Sequence, residues 1–221
     1  MPEKAPGVSL DPDPLIREAV GDTSSAALSR AAFLLILNGQ TPLLSDLVEA
    51  TSASAEEVDG LIGRGLMLDD GGHVVAAHGL SLIPARQHRL VLGNRQFWTW
   101  CAIDVIGIPA GLAADAVADT HCLACGTAVR VEFRAGEIVH SSHPAAMLCN
   151  AQPLQGRGTA GPPHCALMNL FCSARHLDDW LATHPGEAGR ACSLAEAVEI
   201  GRAEWGALMH GRNCGPDEGC P

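Results

Sequence analysis

Apolar positions dominate residues 26–37, unbroken from Ala31 to Leu37, and the run stops at Asn38-Gly39. That pattern predicts a helix closed by a left-handed glycine turn. Thr41-Pro42 open a second helix reaching about Thr51, and Ser54 with Glu57 forms a capping box for a third that ends near Gly65. Residues 66–69 and 73–77 flank Asp70-Gly71-Gly72 and read as a β-hairpin. Three helices followed by a hairpin make a winged-helix-like module over residues 25–80.

Beyond it the pattern becomes mixed. Residues 88–92 read as a short strand leading into 96–113, an apolar stretch with Trp98 and Trp100 that is expected to be helical until Gly107 and Pro109 disturb it. Residues 129–133 and 138–140, joined at Ala135-Gly136, predict a hairpin, and 145–149 adds a strand. Residues 150–163 carry three Gly and three Pro and read as a loop. Ser173 is the expected N-cap of a helix over 176–183, and Ser193 with Glu196 caps another over 194–209. The expectation is an α+β protein in which the winged-helix-like module packs on a mixed part, residues 81–210, of antiparallel strands and helices. An arm, residues 1–24 with a short helix near 15–20, precedes them, and a flexible cysteine-containing tail, 211–221, follows.

A winged helix raises the question of DNA, and charge answers it. Across residues 25–80 only Arg30 and Arg64 stand against seven acidic residues, and the presumed reading helix, 55–64, carries three acids and one Arg. Such a face repels a duplex, so the module is expected to be structural or to shield a substrate. The whole chain, with 14 Lys and Arg against 25 Asp and Glu, has a formal net charge of −11, the wrong sign for phosphates or anionic lipid. No apolar run approaches the roughly 20 residues of a membrane span, and the acidic, proline-rich start does not resemble a secretory signal. The expected location is the cytoplasm.

In a reducing compartment the nine cysteines are expected to be thiols, and an odd number cannot all pair within one chain. Cys101 and Asp104 stand three residues apart in an apolar, helix-like segment beside Trp98 and Trp100, a spacing that lets a thiol and a carboxyl share one pocket. The bland alternative is a buried Cys with Asp104 exposed. Cys165 follows the Gly/Pro-rich loop, a suitable place for a thiol at a pocket rim, whereas Cys172 is expected to face the other way, into the core. Cys122-Leu123-Ala124-Cys125 is a CxxC, half of a zinc site or a redox pair when taken alone, but no second CxxC accompanies it, and packing is the favoured reading. Cys214 and Cys220 lie on the tail. His73, His78, His88, His140, His143 and His184 lack a paired ligand spacing and are not nominated.

Trp100-Cys101-Ala102 with Asp104, a cysteine some sixty residues later, then Phe171, Ser173 and Asp179-Trp180, together resemble the alkylmercury (organomercurial) lyases. Gly79-Leu80-Ser81 leading through Ile83-Pro84 adds to the likeness, which spans most of residues 26–209. The resemblance implies a cytoplasmic detoxifying enzyme that splits the carbon–mercury bond of R–Hg⁺ to a hydrocarbon and Hg(II). It implies Cys101 and Cys165 as the mercury-binding thiols and Asp104 as the proton-handling acid. No cofactor is expected; two thiolates hold Hg(II) tightly, so release is expected to need an incoming free thiol, and the resemblance implies a mercuric reductase as the acceptor. It places a structural cysteine at Cys122, with Cys125 a departure. A rival reading is a non-catalytic soft-metal-binding or metal-sensing protein on the same scaffold. Asp104 argues for the enzyme, since a pure binder needs no proton carrier. An ordinary Asp, with a pKa near 3.9, would be protonated in only about one molecule in 10³ at pH 7, so Asp104 is expected first to accept a proton from a cysteine and then to deliver it.

Overall fold

The computed structural model describes residues 24–151, 163–184 and 189–210. Three helices come first: α1 (Ser24–Leu37), α2 (Leu44–Thr51) and α3 (Ala55–Leu61). Helix α1 is buried on nearly every side, with Leu28, Ala31, Ala32, Phe33 and Ile36 fully enclosed, as an all-round apolar helix must be. Gly39, at φ +77°, closes it. Helix α2 begins later than Thr41-Pro42 suggests because that segment is used in pairing. The Pro42 carbonyl accepts the Val74 N–H, and Leu43 bridges to His73. Helix α3 carries the expected Ser54/Glu57 capping box but ends at Leu61, where Ile62 turns extended.

Strands β1 (Leu66–Leu68) and β2 (Val74–Ala77) form the expected hairpin, and β3 (Leu80–Ser81) follows at once. β3 pairs on one side with β2 and on the other with β5 (Arg95–Thr99), so the hairpin opens a continuous antiparallel sheet. The rest of that sheet is β4 (His88–Leu92), β6 (Ala116–His121), β7 (Ala128–Arg134) and β8 (Glu137–Ser141), in the order β1-β2-β3-β5-β4-β6-β7-β8. A second sheet has β9 (Met147–Ala151) between β10 (Leu170–Phe171) and β11 (Gly189–Ser193), again antiparallel. The chain is therefore a mixture of helices and antiparallel sheets. The predicted short helix at 15–20, most of the 150–163 loop and the tail lie outside the described residues.

The expected helix over 96–113 is corrected. Its first part is strand β5, joined to β4 by the two-residue turn Gly93-Asn94, with Gly93 at φ +58°. Only Ala102–Gly111 is helical, as α4, and Pro109 is accommodated in its last turn. Trp98 and Trp100 therefore precede the helix. The two remaining helices are α5 (Ala174–Thr183), capped by Ser173, and α6 (Leu194–His210), preceded by the Ser193/Glu196 pair.

Helix α4 is the centre of the molecule, and α6 lies directly against it. A Cβ at Gly201 would stand 2.3 Å from the Gly107 Cα, and one at Gly107 would stand 2.4 Å from the Trp205 ring. The two backbones meet with no side chain between them, a contact open only to glycine.

Candidate active site

The local sequence places Cys101 where strand β5 gives way to helix α4. Its extended backbone (φ −149°) makes it the N-cap, and the Thr99 hydroxyl holds its carbonyl from behind at 3.0 Å. Asp104, in the first turn, reaches back so that its Oδ2 accepts the Cys101 N–H at 2.9 Å. The i, i+3 spacing thus does bring thiol and carboxyl together, through a cap rather than through a shared helix face. Beneath the carboxyl lies Gly79 at φ +83°. A Cβ there would fall 2.5 Å from the Asp104 Cγ, so the acid rests directly on the main chain.

Cys165 comes from a separate segment, the short 3₁₀ turn Pro163–Ala166. That segment is tied to the Cys101 helix by the Met168 carbonyl, which accepts the Ala102 N–H at 2.9 Å, and the Met168 sulfur lies 3.6 Å from Cys101 Sγ. Asn169 anchors it further, donating to the Ala166 carbonyl and accepting the Cys149 N–H through its own. The three predicted residues converge: Cys101 Sγ, Cys165 Sγ and an Asp104 oxygen all lie within 4.8 Å of one another. All are buried, at 1%, 5% and 7% exposure, so Cys165 sits deeper than a pocket rim and Asp104 is not the exposed acid of the bland alternative.

Burial changes the acid–base character of the pair. It pushes the Cys101 thiol well above its ordinary value, helped by a hydrogen bond to Cys165 and the Asp104 charge. It also lifts Asp104 to about 7, with the Glu204 carboxylate on α6 adding a repulsive contribution. The expectation of an almost always ionised Asp104 is thereby corrected: near pH 7 a large share of molecules carry the proton. Burial thus favours the neutral forms of both Cys101 and Asp104, which keeps charge out of the enclosed site.

Sequence reasoning missed the supports. His78, also at positive φ, offers its carbonyl to Trp205 Nε1 at 3.0 Å, and Gly79 accepts the Trp100 N–H. Consecutive residues at positive φ just under the acid were signalled only by the dipeptide His78-Gly79. Burial holds His78 neutral, pushing it down to about 4.

A second cluster was not foreseen. Cys172 is half-buried rather than in the core, and its sulfur lies 3.2 Å from His176 Nδ1 and 3.8 Å from Cys125 Sγ. Cys122 Sγ is 3.5 Å from the same imidazole nitrogen.

Two buried thiols facing one proton-bearing carboxyl define a centre that can take a soft metal and move a proton beside it. Residues 80–206 match the family of alkylmercury lyases. The alkylmercury lyase of Bacillus cereus is 28% identical over 184 residues, 82% of each chain. That of Streptomyces lividans is 25% identical over 186 residues, 83% of this chain and 84% of its own. The crystal structure of the mercury-bound form of MerB2 superposes with a TM-score of 0.74 at 22% identity, covering 90% of this chain and 98% of that one, a likeness of fold. The chain belongs to the alkylmercury lyase family.

Proposed function

We propose that Cys101, Cys165 and Asp104 carry out the protonolytic cleavage of the carbon–mercury bond of organomercurials that defines this family. The observation behind this reading is the convergence of their three ligand atoms within 4.8 Å in a buried site.

The chemistry follows from softness and proton supply. Mercury in R–Hg⁺ is a soft centre, and thiolates are the softest ligands a protein offers. As the first thiol binds, its proton passes to the ionised share of Asp104, since a coordinating thiol is deprotonated outright. The second thiol binds and loses its own proton. Electron density from two thiolates weakens the carbon–mercury bond, and the Asp104 proton transfers to carbon as that bond's electron pair leaves with the hydrocarbon. The net change is R–Hg⁺ with two thiols giving R–H, a mercury bis-thiolate and one proton released to water. A pKa near 7 suits Asp104 to both halves of the shuttle.

Release of Hg(II) proceeds by thiol exchange, with free thiols or the paired cysteines of a mercuric reductase displacing Cys101 and Cys165 stepwise. No resident cofactor enters any step. We read residues 25–80 as a winged-helix-like unit whose acidic surface and continuity with the main sheet suit it to shielding the site, and the reducing cytoplasm as the location that keeps the thiols available. No described helix is long and apolar enough to cross a membrane.

The test is incubation of the purified protein with methylmercury and excess thiol. Methane and stoichiometric Hg(II) are expected, whereas tight methylmercury binding without methane would establish the binding-only alternative.

A further inference from the structure

Outside the candidate active site, four ligand-bearing side chains gather at the far end of the large sheet. Cys122 and Cys125 occupy the turn between β6 and β7. Their thiols are presented by a tight loop in which the Cys122 N–H bonds to the Thr127 carbonyl and the Gly126 N–H to the Cys122 carbonyl, both at 2.8 Å. Gly126, at φ +71°, lets the chain fold back. Cys172 and His176 come from the start of α5, where the Ser173 cap orients the first turn so that the imidazole points at the thiols. The Leu123 N–H bonds the Leu170 carbonyl at 2.9 Å and sets the two segments side by side.

All four ligand atoms lie within 4.8 Å of one another. A tetrahedral zinc with bonds of about 2.3 Å to sulfur and about 2.0 Å to nitrogen has edges of roughly 3.8 Å between sulfurs and roughly 3.5 Å between sulfur and nitrogen. The distances here are 3.8 Å for Cys125 to Cys172, and 3.5 and 3.2 Å from His176 Nδ1 to Cys122 and Cys172. Apolar packing alone does not account for them, because Cys125 is exposed and, among the described residues, its sulfur hydrogen-bonds only to Thr127, whose hydroxyl lies at 3.1 Å, besides the cluster itself. The hydrophobic cluster beneath is also small, built on Cys122, Cys149, Phe171 and Leu177. A small core of this kind is where a structural metal contributes most.

We propose that Cys122, Cys125, Cys172 and His176 form a closed, structural Zn(II) site of the Cys₃His type, separate from the mercury-handling thiols. The three cysteines bind as thiolates, any thiol proton still present passing to water, with no redox change. The metal joins the β6–β7 turn to the β10–α5 junction, the strand that follows the Cys165 segment. With four protein ligands it keeps no open position, so it acts on structure rather than on substrate.

The experiment uses the full-length chain carrying Cys101→Ser, which removes one soft ligand of the active site from the count. The protein is purified under reducing conditions without a histidine tag, and metals are measured by mass spectrometry. One zinc per chain is expected, with Cys125→Ser and Cys172→Ser each weakening zinc at least tenfold in competition with a chromophoric chelator. Replacement by Co(II) should give the intense visible bands of tetrahedral cobalt and a thiolate charge-transfer band, weakened by about a third in Cys125→Ser. The cobalt spectrum of the unsubstituted cluster decides the matter even if either variant fails to fold. Zinc-free protein with an octahedral cobalt spectrum, mercury in place of zinc, a Cys125–Cys172 disulfide, or zinc retained undiminished in Cys125→Ser would each overturn the proposal.

Discussion

Replacing Asp104 by Asn should make the protein more stable and catalytically dead. In the native fold the carboxyl titrates near 7 because it is buried, whereas in the unfolded chain it titrates near 3.8. A carboxyl with a raised folded pKa prefers to be neutral, so the native state holds its proton longer and stability falls as pH rises from about 4 to about 7. Three pKa units correspond to about 4 kcal/mol in all, of which about 2 to 3 kcal/mol should appear between pH 5 and pH 8. Asn keeps the oxygen that accepts the Cys101 N–H but cannot ionise. The assay is urea unfolding of wild type and Asp104→Asn at several pH values. Wild type should lose stability across that window relative to the variant, whose advantage is greatest at pH 8. Groups that titrate in both proteins cancel in the difference. The variant should also bind methylmercury through both thiols yet release no methane. Parallel stability profiles from pH 5 to pH 8 would refute the buried, proton-loaded carboxyl, and normal methane production would refute its role as shuttle.

Cys101→Ser and Cys165→Ser should each lower turnover at least about a hundredfold while circular dichroism stays native, since one thiolate binds R–Hg⁺ but two are needed to activate it. Wild-type rates in either would sink the pairing. Gly79→Ala should lower kcat more than it changes KM and reduce Tm, because a Cβ at φ +83° costs about 1 kcal/mol in strain and displaces the Asp104 carboxyl. An unchanged kcat would show that the acid does not depend on that seat. A chain ending at Gly211, without Cys214 and Cys220, should complete a normal first turnover but cycle more slowly at low external thiol, the difference vanishing when thiol is abundant. Equal steady-state rates at every thiol concentration would remove the tail from product release.

What could be read in the chain was whatever is local. The capping residues Ser54 and Glu57, Ser173, and Ser193 with Glu196 announced their helices because a cap acts within four residues. The span before Cys101 misled because its aromatic, apolar residues suit helix and strand alike, and the small Gly93-Asn94 turn was the deciding signal. Strands β6 and β11 went unnoticed, being rich in Ala and polar residues and held by their neighbours' ladders. Cys101, Asp104 and Cys165 were legible as a set only through family resemblance, since nothing local places residue 165 beside 101. The titration of Asp104 was misjudged because burial is decided by the whole fold. The Cys₃His cluster was missed because the CxxC finds its partners some fifty residues on, as Cys-x₃-His rather than a second CxxC.

The glycine contact between α4 and α6 divides the site into a face that cannot be adjusted and one that can. Cys101 and Asp104 ride on a helix seated backbone to backbone through Gly107 and Gly201, so almost any side chain introduced there moves both groups at once. Cys165 is carried by one short turn, held through the Met168 carbonyl and the Asn169 side-chain amide, with the side chains of Leu167 and Met168 only partly enclosed. An engineer wishing to admit bulkier organic groups should therefore randomise residues 166–168 and leave the helix interface alone. Libraries built on residues 166–168 can reshape the surroundings of Cys165 while the Cys101 thiol and Asp104 stay registered, whereas those built on the helix interface trade activity away before any new substrate fits.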